Sequence, residues 1–234
     1  MRVLVLGAGF GGLEIASILS KKLGDYLDLI LIDKNDSFCF GFSKLDIMFW
    51  RRTASSVRCS YKQIHMPGVR FRQESITSID PETRCVTTDG GAYASDILVI
   101  ALGADYDISA TPGLAEAGNE FYTVEGAERV RELLPGFKNG NAIVGVTSFP
   151  IKCPTAPSEA ALLLHDYLVR QGVRKDCTIS LVVPFEFPIP PSYGTSKALL
   201  KSFSEKNIRY IPEMMVASLD PGLKLAVLDD GTEM

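Results

Sequence analysis

Residues 1–12 read MRVLVLGAGFGG. Arg2 to Leu6 form a short, mostly apolar run with Val at alternate positions, the pattern of a buried strand. Gly7, Gly9 and Gly12 follow at the spacing G-x-G-x-x-G. From Leu13 to Leu23 the apolar residues Leu13, Ile15, Ala16, Ile18, Leu19 and Leu23 recur as a helical stripe. The stretch therefore predicts strand, tight glycine turn and helix. Gly7 allows the sharp turn, Gly9 lets a pyrophosphate approach the backbone, and Gly12 lets the helix pack close to the strand. Phosphates would then rest on the free N–H groups and positive end of the helix, beside Phe10 and Gly11.

A second apolar run, Leu27 to Ile32, ends in Asp33, 26 residues beyond Gly7 and followed by Lys34. An acid at that place can accept the ribose hydroxyls of an adenine dinucleotide, which favours NAD or FAD over NADP. The bland alternative is a glycine-rich turn that binds nothing, with Asp33 as a strand-end cap.

The chain has 234 residues, 46% hydrophobic and 22% charged, an ordinary globular composition. A chain of this size buries roughly 70–75% of its unfolded surface, enough for one large or two modest domains. Net charge is −4 and the pI about 5.3, so no basic surface argues for nucleic acid. No apolar run reaches 18 residues. The first strand leaves no room for a cleavable leader, and the expected location is cytoplasmic. The five cysteines (39, 59, 85, 153 and 177) are widely spaced, without a C-x-x-C, and support neither a disulfide framework nor a zinc site.

The stretch KNDSFCFGFSKLDIMFW, residues 34–50, has aromatics without a clean period. It reads equally as a loop packed under a sheet or as one running over a nucleotide site. A polar linker with a short helix near residues 61–65 follows, then a strand at Val69–Phe71. Ser75–Ile79 and Arg84–Thr88, joined by the turn Asp80–Thr83 and followed by the turn Asp89–Gly91, predict a three-stranded β-meander. The strand Asp96–Ala101 ends in ALGA, where Ala101 and Gly103 are further candidates for lining a ligand. Thr111 to Gly118 read as a linker between a first domain, residues 1–110, and a second, 111–234. The second alternates helices (124–134, 158–171, 195–206) with strands (141–146, 178–183, 209–211) and closes on a hairpin-like pair, 216–219 and 224–228. The expected fold is α/β, with two Rossmann-like units on parallel sheets and an inserted meander.

LVLGAGFGG, LILIDKND and DILVIALGA together resemble the flavin-dependent pyridine nucleotide–disulfide oxidoreductases. KCPTAPSEAALLLHDYL, residues 152–168, is similar to the Cys-Pro segment of sulfide:quinone oxidoreductases and of the flavoprotein subunit of flavocytochrome c sulfide dehydrogenases. The residues themselves add a reason. A member using NAD(P)H needs a second glycine turn after strand 141–146. Here one glycine, Gly145, remains, and Pro150, Pro154 and Pro157 remove N–H groups that would hold phosphate. Cys153 stands there instead, beside Lys152 and near a helix start, two features that favour a thiolate. Its bland alternative is a small packed residue. Glu159 either complements the helix dipole or handles protons. His165 reads as half-buried, and Glu186 lies near the ribose-acid place in a rigid Pro-rich segment.

The resemblance implies FAD as cofactor, a small sulfur substrate, and a quinone or cytochrome acceptor, with self-association and peripheral membrane attachment among the expected partners. It also implies departures. The family's partner cysteine, its second FAD segment with a Gly-Asp motif, and its membrane-attaching elements come from later parts of the family chain. Cys177 matches no redox cysteine, and Cys39 only loosely matches the place where flavocytochrome c-type proteins tether FAD. Two rivals remain open: an NAD(P)H:quinone oxidoreductase of the type II NADH dehydrogenase kind, and a nucleotide-binding module without turnover.

Overall fold

Strand β1 (Arg2–Leu6) is buried along Val3–Leu6, so both of its faces need a cover. It lies inside a parallel sheet between β2 (Asp28–Asp33) and β9 (Ile97–Ile100), with β5 (Val69–Gln73) beyond β2. Alternation decides what covers each face. Val3, Val5, Leu29 and Leu31 pack with Ala16 of helix α1 (Phe10–Leu23) and with Tyr61. Leu4, Leu6, Ile30 and Ile32 pack instead on Val86 of an antiparallel meander. That meander is β6 (Ile76–Asp80), β7 (Cys85–Thr88) and β8 (Gly91–Ala94). It replaces the second helical layer usual for a parallel sheet. The Glu74 carboxylate, just after β5, accepts the Tyr93 hydroxyl at 2.7 Å and ties meander to sheet.

This computed structural model describes residues 1–234, in two compact units: residues 1–40 with 57–106, and residues 41–56 with 107–234. The sequence reading places residues 41–56 wholly in the first domain, whereas they belong to the second unit. Residues 34–50, read as a loop, contain two short elements. Strand β3 (Ser37–Cys39) pairs antiparallel with β4 (Arg58–Ser60), and helix α2 (Ser43–Met48) buries Leu45, Ile47 and Met48. Three and six residues are too few to display a period. Phe38 faces Cys59 and Cys39 faces Arg58, so the two thiols project to opposite faces. None of the five cysteines is in a disulfide.

In the second unit, α3 (Leu114–Ala117) occupies the stretch read as a linker. The linker is packed: a side chain at Gly113 would meet the Leu219 carbonyl oxygen at 1.9 Å. Helix α4 (Val124–Leu133) precedes a parallel sheet, β10 (Gly140–Gly145), β11 (Cys177–Val182) and β12 (Ile208–Ile211), with α5 (Ala156–Arg170) and α6 (Tyr193–Glu205) as crossovers. Helix α5 starts two residues before the expected Ser158, with Pro157 in its first turn, where an N–H has no helical partner. Strands β13 (Val216–Asp220) and β14 (Leu225–Leu228) form an antiparallel pair, as the hairpin pattern predicts.

Arg174 fastens this unit. Its guanidinium donates to the carbonyls of Cys177 (2.6 Å), Lys206 (2.8 Å) and Asn207 (2.9 Å), and its Nε donates to His165 Nδ1 at 3.0 Å. Burial first, then the charges of Arg174 and Lys206, hold the His165 pKa below the usual imidazole value, although Asp166 opposes them. A base with a depressed folded pKa stabilises the fold above its unfolded value, near 6.5, and loses that contribution as pH falls. Thermal unfolding of the wild type and of His165→Gln between pH 7.5 and 5 tests this. The wild type should lose stability more steeply below about pH 6.5; parallel curves would contradict it.

Candidate functional site: a glycine turn and a cysteine loop

In the first unit, only Gly7, Ala8 and Gly9 separate β1 from α1. Gly7 takes φ +94°, and a side chain there would meet the Ala101 carbonyl oxygen at 2.4 Å. At Gly12 a first side-chain carbon would lie 1.8 Å from the Gly7 carbonyl oxygen. Gly9 is different: nothing lies within 4 Å of where its side chain would be. Two glycines thus fit the fold and one leaves open space beside the helix start. The first N–H groups of α1 lack intrahelical partners, and no side chain caps them. Uncapped helix N–H groups beside an uncrowded glycine are the arrangement that can cradle a pyrophosphate.

The turn is held from three sides. Gly7 N–H donates to the Ile32 carbonyl at 2.7 Å. Asp33 accepts the Ala8 N–H at 2.7 Å through one oxygen, and both the backbone and side-chain N–H of Asn35 through the other. A carboxylate has about four acceptor sites, so capacity remains for ribose hydroxyls. Tyr61, which the sequence reading passes over, donates its buried hydroxyl to the Ala8 carbonyl at 2.7 Å. Burial and the nearby Asp33 charge push its pKa well up, keeping it a donor. Phe10, 60% exposed at the start of α1, meets Phe38 and Phe40 edge-on at centroid distances of 5.1 and 5.6 Å. The aromatic stretch thus reaches the glycine turn, and its Phe38 also packs against the core under the sheet, so both readings find a part of it. Lys34 is exposed, Ala101 N–H closes on Leu6, and Gly103 takes φ +74° with open space around it.

The equivalent turn of the second unit is built otherwise. Between β10 and α5 lie ten residues, Val146–Thr155, instead of three. Gly145 does not make room for a ligand: a side chain there would meet Val216 Cγ2 at 2.6 Å. The Val146 N–H and carbonyl are both engaged, with Val182 (3.1 Å) and Val216 (2.9 Å). The loop carries exposed Lys152 and half-buried Cys153, and Glu159 follows in the first turn of α5. The Lys152 ammonium is held on Tyr122, 2.9 Å from its hydroxyl and 4.7 Å from its ring centroid. Lys44 of α2 donates to the Tyr122 carbonyl and sits 5.2 Å from the same ring. Glu120 sets that residue by accepting its N–H at 2.6 Å. The Cys153 sulfur lies 3.2 Å from the Thr155 hydroxyl. Tyr122 lies in none of the sequence motifs, and Thr155, although inside the segment 152–168, is a position that the segment does not single out. Buried Cys177 starts β11, and burial pushes its thiol pKa up, away from a nucleophilic form.

Residues 1–147 match the family model for pyridine nucleotide-disulphide oxidoreductases. The chain belongs to this family. Its members are FAD flavoproteins. The mouse mitochondrial sulfide:quinone oxidoreductase is 30% identical over 184 residues, which cover 76% of this chain and 40% of that protein. The type II NADH:quinone oxidoreductase of Staphylococcus haemolyticus is 33% identical over 141 residues, covering 56% of this chain and 33% of that one. The solved sulfide:quinone oxidoreductase of Aquifex aeolicus superposes with a TM-score of 0.83 at 25% identity, covering all of this chain and 56% of that one. The chain thus spans about half the length, or less, of these relatives.

The glycines separate binding from folding. Gly9→Ala has room and an ordinary backbone, so it should fold like the wild type yet lose FAD at least tenfold. Gly12→Ala should instead destabilise the family's first unit by about 2 kcal/mol or more, since backbone must move. Flavin fluorescence titration and thermal unfolding of the two variants read these effects. Equal FAD affinity in Gly9→Ala and wild type would contradict the cradle.

Proposed function

We propose that this chain is the dinucleotide- and sulfur-handling part of an FAD-dependent oxidoreductase of the sulfide:quinone type. Sulfide or a related small sulfur species reacts at Cys153, and the electrons pass to a quinone or a haem partner. The observation that carries this reading is the ten-residue Cys153 loop standing where a nicotinamide-binding turn would need three residues and open glycines. The longer match to sulfide:quinone relatives than to the NADH-using one supports it.

Gly7, Gly9 and Gly12, with Phe10, Gly11 and the start of α1, hold the pyrophosphate. Asp33 accepts ribose hydroxyls, with Lys34, Ala101 and Gly103 around the same rim. When bound, FAD supplies the two-electron acceptor that sulfur oxidation requires. Cys153 presents its sulfur at the half-buried loop. Lys152, steadied on Tyr122, provides positive charge on that loop for an incoming sulfur anion. Glu159 complements the positive end of α5, worth about 0.3–1 kcal/mol. Association with a membrane surface and with further copies belongs to the same proposal; no helix is long and apolar enough to cross a membrane.

The second reading, an NAD(P)H:quinone oxidoreductase, is favoured by the type II NADH:quinone relative. It requires a nicotinamide site that the closed Gly145 position does not offer.

Cys153→Ser tests the assignment. In the flavin-loaded protein, anaerobic sulfide should bleach the wild-type visible spectrum and leave the variant yellow, with FAD content unchanged. Bleaching at the wild-type rate in Cys153→Ser would remove Cys153 from the reaction. Folded protein that takes up no FAD would favour the nucleotide-binding module without turnover instead.

A further inference from the structure

Two threonines in this chain stand at the N-cap of a helix, and they use their hydroxyls differently. Thr123, before α4, has extended backbone (φ −99°, ψ 164°), and its hydroxyl oxygen accepts the Gly126 N–H at 2.8 Å. That is the usual capping arrangement. Thr155, before α5, has helical backbone (φ −85°, ψ −24°) and makes no capping bond. One of the donors it could have capped is absent, because the second helical residue is Pro157. Its hydroxyl is 3.2 Å from the Cys153 sulfur instead. The backbone on both sides of this contact is pinned to the first turn of α5: Ala156 N–H donates to the Cys153 carbonyl at 3.3 Å and Glu159 N–H to the Thr155 carbonyl at 3.1 Å.

We propose that Thr155 is a positioning residue for Cys153, its hydroxyl donating a hydrogen bond to the sulfur in its anionic form. The inference rests on the reading of Cys153 as the sulfur-handling group. An anionic sulfur offers only lone pairs, so the hydroxyl is the partner that must donate. A hydrogen bond to a charged acceptor is roughly twice as strong as a neutral one. The hydroxyl sits on a β-branched carbon whose first torsion is stiff, so holding it in place costs little freedom. The helix forgoes its capping bond, and the sulfur gains a fixed donor two residues away. Lys152, which the sequence places next to the thiol, has its ammonium on Tyr122. Thr155 therefore supplies the direct polar contact to the sulfur.

Alkylation of Cys153 by iodoacetamide, resolved at that peptide by mass spectrometry, tests the proposal without sulfide or flavin turnover. Rates are compared at pH 7 and pH 10 in the wild type and in Thr155→Val, Thr155→Ala and Thr155→Ser. Removing the hydroxyl should lower the pH 7 rate about threefold: the roughly tenfold loss of thiolate from one hydrogen bond to a charged group is partly offset by the higher nucleophilicity of the unbonded sulfur. The pH 10 rate should not fall and should rise by up to about threefold, because there the thiolate forms without help. Serine should restore the pH 7 rate to within about 1.5-fold of the wild type. Equal pH 7 rates in all four proteins, or an equal fall at both pH values, would overturn the role. Thr155→Ala keeps the test valid if valine disturbs the helix start. Should the Thr155 effect be missing while Cys153→Ser still blocks reduction by sulfide, this inference alone fails. Should sulfide still reduce the flavin in Cys153→Ser, the underlying reading fails whatever Thr155 does.

Discussion

A helix and a strand that approach until backbone meets backbone set the terms for the first unit. The carbonyl of Gly7 occupies the place where any side chain at residue 12 would begin. Gly7 itself can adopt its turn because it bears no side chain toward Ala101. Given this contact, α1 lies flat on β1 and β2, Val5 and Leu31 find Ala16, and the helix start points at the open space beside Gly9. Asp33 and Tyr61 then grip the turn from β2 and from the segment after β4. The open turn is thus what remains of a packing constraint, with Gly9 the one glycine that the packing does not require.

The second unit repeats the strand–helix–strand plan and abandons the constraint. Gly145 is filled by Val216 from β13, so the close approach there is made by protein rather than by phosphate. A ten-residue loop then has freedom to bring a cysteine to the helix start. Positive charge arrives through a chain of contacts, Glu120 fixing Tyr122 and Tyr122 holding Lys152 and Lys44. One plan thus yields a three-residue open glycine turn in one unit and a ten-residue cysteine loop in the other.

Much of this is legible in the sequence where a single residue type has a single physical reason. Gly7, Gly12 and Asp33 belong to that kind, and so does the alternation that makes β1 and β2 a buried pair. The α/β class and the parallel sheets follow from them. Short elements are not legible: three residues of β3 and six of α2 cannot display a period, so an aromatic stretch looks irregular. Strand β5 reads as a lone segment although it extends the parallel sheet, because edge position leaves no mark in five residues. Tyr61, Tyr122 and Thr155 act through partners 53, 30 and 2 residues away. A tyrosine does not advertise a long-range partner, and Thr155, whose partner is two residues away, sits where capping is the obvious role. The Gly145 position is half legible: its isolation is visible, but the valine that fills it comes from 71 residues later, 216 − 145.

The two glycine turns differ in whether they leave room for a ligand, and reduction of the bound flavin reads that difference directly. Separate anaerobic samples of the FAD-loaded protein are titrated with sulfide and with NADH while the visible flavin bands are followed. Bleaching by stoichiometric sulfide, with no bleaching by NADH, is what an open first turn and a closed second one require. Bleaching by NADH, with sulfide inert, would mean that the second unit holds a nicotinamide after all and that the Cys153 loop has been misread.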